Sequence, residues 1–96
     1  MYARINLLHF KPGTLDKGHE SARVASAAYK ALKGFKSMVF IGDDEANEFG
    51  SFSLWETKED AEAASEGLRP RMTEEVGDLF SAPPTTRVFE VHEVEA

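Results

Sequence analysis

The sequence contains no cysteine, which excludes disulfide bonds, thiol chemistry and thiolate metal sites. It also lacks any apolar run that approaches the length of a membrane-spanning helix. The first ten residues have neither the basic start nor the long apolar stretch of a signal peptide. Because a chain without cysteine suits a reducing compartment, these features favour a cytoplasmic location and argue against a membrane partner.

Positive charge is scarce. Eleven lysines and arginines oppose seventeen aspartates and glutamates, which gives a formal net charge of −6. Phosphate backbones therefore gain no general attraction to the chain, and nucleic acid is not an expected partner. There are no repeats, low-complexity tracts or long linkers, and 42% of the 96 residues are apolar. We therefore predict one globular domain over residues 1–96.

What the sequence does contain is a strand that leads directly into a capped helix, from Phe49 to Ala64. Its first half is rich in aromatic and small residues and ends at Trp55. Thr57 is placed to cap a helix, with Asp60 three residues later, and an alanine-rich stretch follows. This junction places Trp55 at the rim of a sheet.

The remaining elements are assigned from hydrophobic periodicity and turn residues. The predicted strands are Tyr2–Lys11, Phe35–Gly42, Glu48–Glu56 and Thr86–Val94. The predicted helices are Thr14–Lys33, capped by Thr14 and closed by Gly34, then Lys58–Glu66, closed by Gly67, and a short helix from Pro70 that ends before Pro83.

This order predicts an α+β fold of the ferredoxin-like type, an antiparallel four-stranded sheet with its helices on one face. Right-handed crossovers place strands one and three side by side, with strands four and two outside them. The other face of the sheet carries too many apolar residues to remain in water. We therefore expect a homodimer in which a second copy packs against that face.

Three motifs resemble the antibiotic-biosynthesis monooxygenase-like family of dimeric α/β-barrel proteins. They are Lys11-Pro12-Gly13, Leu32-Lys33-Gly34-Phe35, and Phe52-Ser53-Leu54-Trp55-Glu56 followed by Lys58-Glu59-Asp60-Ala61. The resemblance covers nearly the whole chain and implies a dimer that closes into a barrel. Members of the family include cofactor-free oxygenases of phenolic substrates, haem-degrading enzymes and proteins without known activity.

Asn6 is the most suggestive polar residue, because an amide at the centre of a buried strand needs a partner. The partner is either a ligand, as the resemblance implies, or neighbouring side chains and water. Arg4 shares its strand face and either stabilises a phenolate or pairs with an acid across the dimer. We expect Asn6 to face a cleft between sheet and helices, and the more apolar face with Ile5 and Leu7 to pack against the helices.

Three aromatic residues are candidates for substrate binding. Trp55 is either the wall of an aromatic pocket or a core residue, and the same alternatives hold for Tyr2 and Phe10. His92 on the fourth strand is expected near Asn6, because those strands should pair. It is a candidate general base, with a partly exposed histidine at the end of the barrel as the alternative.

No histidine or acidic residue stands in a spacing typical of a metal site, so we expect neither a metal nor another cofactor. In the haem-degrading branch, the resemblance implies a tryptophan in the helix after strand three and a later histidine as iron ligand. That helix has Ala61, Ala63 and Ala64, and no histidine occurs between His19 and His92. Haem degradation is therefore disfavoured.

The leading hypothesis is a cofactor-independent monooxygenase acting on a phenolic or quinol-like small molecule. Asn6 and Arg4 would donate hydrogen bonds to the developing anion, Trp55 would form a wall and His92 would be the base. The alternative is a non-catalytic dimeric ligand-binding or stress-related protein, and a base within reach of the cavity would discriminate the two. An RNA-recognition domain with this topology is disfavoured by the charge and by the absence of basic and aromatic motifs.

Overall fold

A computed structural model describes residues 1–94 and has the predicted order of strands and helices. The elements are β1 (Tyr2–Phe10), α1 (Leu15–Lys30), β2 (Phe35–Asp43), β3 (Glu48–Trp55), α2 (Lys58–Val76), a 3-10 turn (Gly77–Leu79) and β4 (Phe80–Glu90). Each pair of neighbouring strands is antiparallel, and the strand order is β2-β3-β1-β4. The ferredoxin-like topology predicted from the sequence is confirmed.

The connection from α1 to β2 depends on Gly34. Its φ of 82° lies in the left-handed region, as expected for a residue that follows a helix. A Cβ atom at this position would collide with the side chain of Asp60. The Gly34 carbonyl accepts a hydrogen bond of 2.8 Å from the Glu56 N–H, which ties the start of β2 to the end of β3. Thr14 precedes α1, but its side chain makes no capping bond.

The second helix begins as predicted and ends much later. Thr57 Oγ1 accepts a hydrogen bond of 3.1 Å from the Asp60 N–H. The predicted break at Gly67 is wrong, because α2 continues for 19 residues with Pro70 inside it. One stripe of buried and half-buried residues runs along the whole helix: Ala61, Ala64, Leu68, Met72 and Val76. This packing outweighs the backbone hydrogen bond that Pro70 removes from its exposed position.

The last strand begins six residues earlier than predicted and ends at Glu90. Pro83 and Pro84 predict a break in regular structure, but β4 is an edge strand, where a residue without an N–H is tolerated. The pairing of β1 with β4 shifts register between Leu7 and His9, close to these prolines. The consequence for the site is that Thr86 lies opposite Asn6.

The sequence prediction for β1 agrees with the structure for the face of Asn6, which lines a cavity between sheet and helices, and is wrong for the face of Ile5 and Leu7. Arg4 bonds to residues of both helices, so its face, shared with Asn6, lies beneath the helices. Ile5 and Leu7 are half-buried on the opposite face. The expectation that they pack against the helices is wrong. The reason is that the helices carry the hydroxyls of Ser65 and Tyr29. An apolar strand face would leave these hydroxyls without hydrogen-bond partners.

One end of the layer between sheet and helices is a packed core of Tyr29, Trp55, Ala61 and Ala64. Ala61 and Ala64 of α2 are 0 and 1% exposed, so they bring the helix backbone close to the sheet around the indole. Neither helix in the described part of the chain is long and apolar enough to cross a membrane.

Candidate active site

The other end of this layer encloses a cavity of about 370 Å³. Its floor is the helix-facing side of the sheet, where Arg4, Asn6 and Ser51 supply polar groups. Most of its wall is apolar and comes from both helices and from the sheet: Leu8, Phe10, Ala22, Ala25, Phe49, Leu68 and Met72. A mostly apolar cavity with a few polar groups on one side is the usual form of a small-molecule site.

Arg4 carries a buried positive charge, with 3% of the residue exposed. Its Nε donates to Ser65 Oγ at 2.7 Å and its Nη1 donates to Tyr29 Oη at 3.3 Å. The guanidinium carbon lies 5.8 Å from the centre of the Tyr29 ring. None of the ion pairs within residues 1–94 includes Arg4. The charge is therefore held by neutral partners at the wall of the cavity.

Asn6 is 4% exposed and lies at the centre of the floor. The Thr86 hydroxyl donates to Asn6 Oδ1 at 2.8 Å, which fixes the orientation of the amide. Ser51 lies opposite Asn6 on β3 and is 2% exposed. Sequence reasoning missed both Thr86 and Ser51. The alternation of Ser51 and Ser53 with Phe52 and Leu54 is a pattern that could have indicated a polar floor.

Phe10 also lines the cavity and is 2% exposed. Its ring packs edge-to-face on Phe80 with centroids 5.4 Å apart. Its tip lies against α1 at Gly18, where a Cβ would come within 2.5 Å of the ring. Glycine at that position lets the aromatic ring form the end of the cavity.

Trp55 lies in the packed core and not on the cavity wall. It is fully buried, its Nε1 donates to Ser53 Oγ at 2.8 Å, and its ring packs edge-to-face on Phe35 at 5.6 Å. The Ser53 hydroxyl in turn donates to the Arg4 carbonyl at 3.4 Å. Of the two interpretations of Trp55 from the sequence, the position agrees with the core residue.

Tyr2 and His92 are not brought to the cavity. Tyr2 pairs with Trp55 and Glu90 at the far end of β1 from Phe10. His92 is exposed and lies two residues beyond the end of β4. Because β4 starts and ends earlier than predicted, the residue beside Asn6 is Thr86 and not His92. None of the lining residues within the described part of the chain is a histidine.

The carboxylate on the cavity wall belongs to Glu75 of α2. Arg71 Nε donates to Glu75 Oε1 and the Ser21 hydroxyl donates to Oε2, each at 3.1 Å. These bonds, that of Arg71 first, lower the pKa of Glu75 from its ordinary value of 4.5. The Ser21 bond also joins α1 to α2 at the exposed rim. No group of three potential metal ligands occurs within residues 1–94.

Three solved structures have the same architecture. The first is a protein from Nitrosomonas europaea provisionally named an antibiotic biosynthesis monooxygenase, with a TM-score of 0.80, 18% identity, and 95% of this chain and 98% of that chain covered. The second is a variant of SnoaB, a cofactor-independent oxygenase from Streptomyces nogalater, with a TM-score of 0.76, 14% identity, and 97% and 94% covered.

The third is a monooxygenase encoded by ActVA-Orf6 of Streptomyces coelicolor, in complex with nanaomycin D. It has a TM-score of 0.74 and 16% identity, with 99% of this chain and 90% of that chain covered. This chain has the antibiotic-monooxygenase fold. No protein-family model matches the sequence. No curated protein matches it either.

Proposed function

We propose that this protein is a cofactor-independent monooxygenase that acts on a phenolic or quinol-like small molecule in the cavity. The observation that carries the proposal is the buried Arg4 guanidinium, which has only neutral partners within residues 1–94 and lies on the same sheet face as the Asn6 amide. A fixed positive charge and N–H donors in an apolar enclosure favour the ionised form of a bound phenol. The likeness in fold to SnoaB, a cofactor-independent oxygenase, supports the same reaction class.

In this proposal the substrate ring lies against the apolar walls, and its oxygen points to the polar floor. Arg4 and Asn6 stabilise the oxyanion that forms when the phenol loses its proton. The Glu75 carboxylate at the rim, or solvent, accepts that proton. A ligand that displaces water from the cavity strengthens these interactions, because no water then competes for the charge.

The substrate anion itself reduces oxygen. The same anion forms when the keto tautomer of the substrate loses a proton from a ring carbon that bears two hydrogens. This carbon forms a bond to O₂, and the resulting peroxide anion takes up a proton to give a hydroperoxide. Loss of water from the hydroperoxide leaves a carbonyl. One oxygen atom enters the product, the other leaves as water, and the four electrons taken from carbon reduce O₂ fully. The chain supplies binding, orientation and charge stabilisation.

The second candidate is a non-catalytic ligand-binding protein that uses the same cavity. One observation favours it, namely that no histidine lines the cavity within residues 1–94 and that the Glu75 carboxylate is engaged by Arg71 and Ser21. A carboxylate with a lowered pKa is a weaker base. The candidates differ in turnover and not in binding.

We further propose that the protein is a homodimer through the open face of the sheet. On that face Val39 is 58% exposed and Phe89 is 38% exposed, and Ile5, Leu7 and Phe52 are half-buried between them. A contiguous apolar surface of this kind on a folded protein usually marks an interface. The single domain over residues 1–96 and the cytoplasmic location remain predictions from the sequence.

Oxygen uptake by the wild-type protein with anthrone, a tricyclic ring compound, tests the enzyme proposal. We expect uptake well above the rate without protein, undiminished by a metal chelator, and transfer of one ¹⁸O atom from ¹⁸O₂ to the product. Saturable binding of anthrone without any increase in uptake would contradict the enzyme and support the ligand-binding protein. Haem breakdown with a reductant, which we do not expect, would overturn the proposal in favour of the haem-degrading branch.

A further inference from the structure

Three polar side chains form a row across the floor of the cavity, one on each of three adjacent strands. Thr86 on β4, Asn6 on β1 and Ser51 on β3 are direct neighbours in the register of the sheet. The Thr86 hydroxyl occupies the acceptor Oδ1 of Asn6 from the β4 side. The amide NH₂ group is therefore turned away from that bond, and it has no hydrogen-bond partner among the residues that the structure describes.

Ser51 differs from the other two residues of the row in its hydrogen bonding. Its hydroxyl is buried, lines the cavity and makes no hydrogen bond within residues 1–94. Ser53, two residues along on the same face, is equally buried but fully engaged, because it accepts from Trp55 and donates to the Arg4 carbonyl. Buried hydroxyls normally have partners, so an unpaired one that faces a cavity calls for an explanation.

We propose that the Ser51 hydroxyl and the Asn6 amide NH₂ together form a subsite for one acceptor oxygen of the ligand. Two neighbouring donors without an acceptor are satisfied by a carbonyl or oxyanion, whereas a hydrocarbon leaves both unpaired in a dry site. The cavity therefore selects ring compounds that carry such an oxygen over the same ring without it. This inference rests on the proposed function only in that a ligand enters the cavity, and it does not require turnover.

The matched probes are 1-tetralone and tetralin, two bicyclic compounds of the same skeleton that differ by the carbonyl oxygen. Titration of the ¹⁵N-labelled full chain, followed by NMR chemical shifts, gives the affinity of each. For wild type we expect 1-tetralone to bind about tenfold tighter than tetralin. In Ser51→Ala the affinity for 1-tetralone should fall about threefold to tenfold, as loss of one neutral hydrogen bond predicts, and that for tetralin should not change.

Ser53→Ala is the control, since it removes a hydroxyl of the same strand face that does not line the cavity. It should leave the preference for 1-tetralone intact but lower the Tm by on the order of 5 °C, because the Trp55 N–H loses its acceptor. Ser51→Ala should not lower the Tm, since no bond is lost, and it is therefore expected to fold.

Two results would overturn the inference, and they are distinguishable. If wild type binds both probes with equal affinity and Ser51→Ala changes neither affinity, the oxygen subsite does not exist. The cavity would then still be a ligand site. Failure of both probes to bind up to their solubility limits removes the ligand site of the proposed function and the subsite with it.

Discussion

The two ends of the layer between sheet and helices differ in how completely they are filled and paired. Around Trp55 the side chains form a buried core cluster, and the indole N–H and the Ser53 hydroxyl both have partners. Around Asn6 there is a cavity of about 370 Å³, lined by a buried arginine and by a serine that has no hydrogen-bond partner within residues 1–94. Arg4 joins the two ends through its bonds to Tyr29 and Ser65.

The difference shows how one small sheet supports both stability and binding. Filled and fully paired packing stabilises the fold, because each buried polar group keeps a hydrogen bond. Cavities and unpaired donors cost stability, so a site that retains them is best explained by a ligand that satisfies them. The Trp55 end should therefore respond to substitution in its melting temperature, and the Asn6 end in ligand binding and turnover.

The largest effect is expected at the Trp55 end. Trp55→Ala should destabilise the protein by about 3–5 kcal/mol, because it leaves a large cavity beside Tyr29 and Ala64. For a domain of this size the Tm should fall by on the order of 20 °C, measured by circular dichroism. Trp55→Phe is the control and should lose only part of this. A melting temperature equal to that of wild type would show that Trp55 does not hold the core.

A second comparison is between the open face of the sheet and the outer face of α1. Val39 and Val24 are 58% and 57% exposed, but only Val39 lies on the proposed interface. Val39→Asp should weaken dimerisation at least a hundredfold in sedimentation equilibrium, because it would place an unpaired charge in an apolar contact. Val24→Asp should leave the dimer intact. A wild-type protein that is a stable monomer at micromolar concentration would contradict the dimer.

Arg4 contacts both ends of the layer, so its substitution tests whether it contributes to ligand binding or to stability. Arg4→Met should weaken binding of 1-naphthoate about tenfold to a hundredfold, because the carboxylate loses a charged donor. The Tm should fall by several degrees, because the Ser65 and Tyr29 hydroxyls lose their bonds to Arg4, while methionine fills similar space and removes a buried charge. Arg69→Met, at an exposed position of the rim, is the control and should change binding less than threefold. A large loss of Tm in Arg4→Met would instead indicate an acidic partner from a second copy.

The fold was largely predictable because its signals are local. Alternating residues in β1 and β3, the Thr57 cap and the left-handed Gly34 each predicted structure correctly. The errors arose where tertiary packing overrides local preference. Packing along the buried stripe continues α2 through Pro70, and the edge position of β4 accommodates Pro84 inside a strand.

The site was less predictable for a related reason. Periodicity places Arg4, Asn6 and Phe10 on one strand face but does not say which face the helices cover. His92 is expected near Asn6 if β4 begins at Thr86. Because the strand begins six residues earlier, the residue opposite Asn6 is Thr86 and not His92. The unpaired state of Ser51 depends on every neighbour in space, and sequence spacing carries no such information.

Asn6→Ala provides the most direct test of the division between the two ends. We expect oxygen uptake with anthrone to fall on the order of a hundredfold, as loss of one oxyanion donor typically causes. We also expect the dimer to persist and the Tm to change by only a few degrees, because within residues 1–94 the amide makes a single side-chain bond, to Thr86. Unchanged uptake together with a large drop in Tm would contradict a role of Asn6 in the reaction and make it part of the structural core.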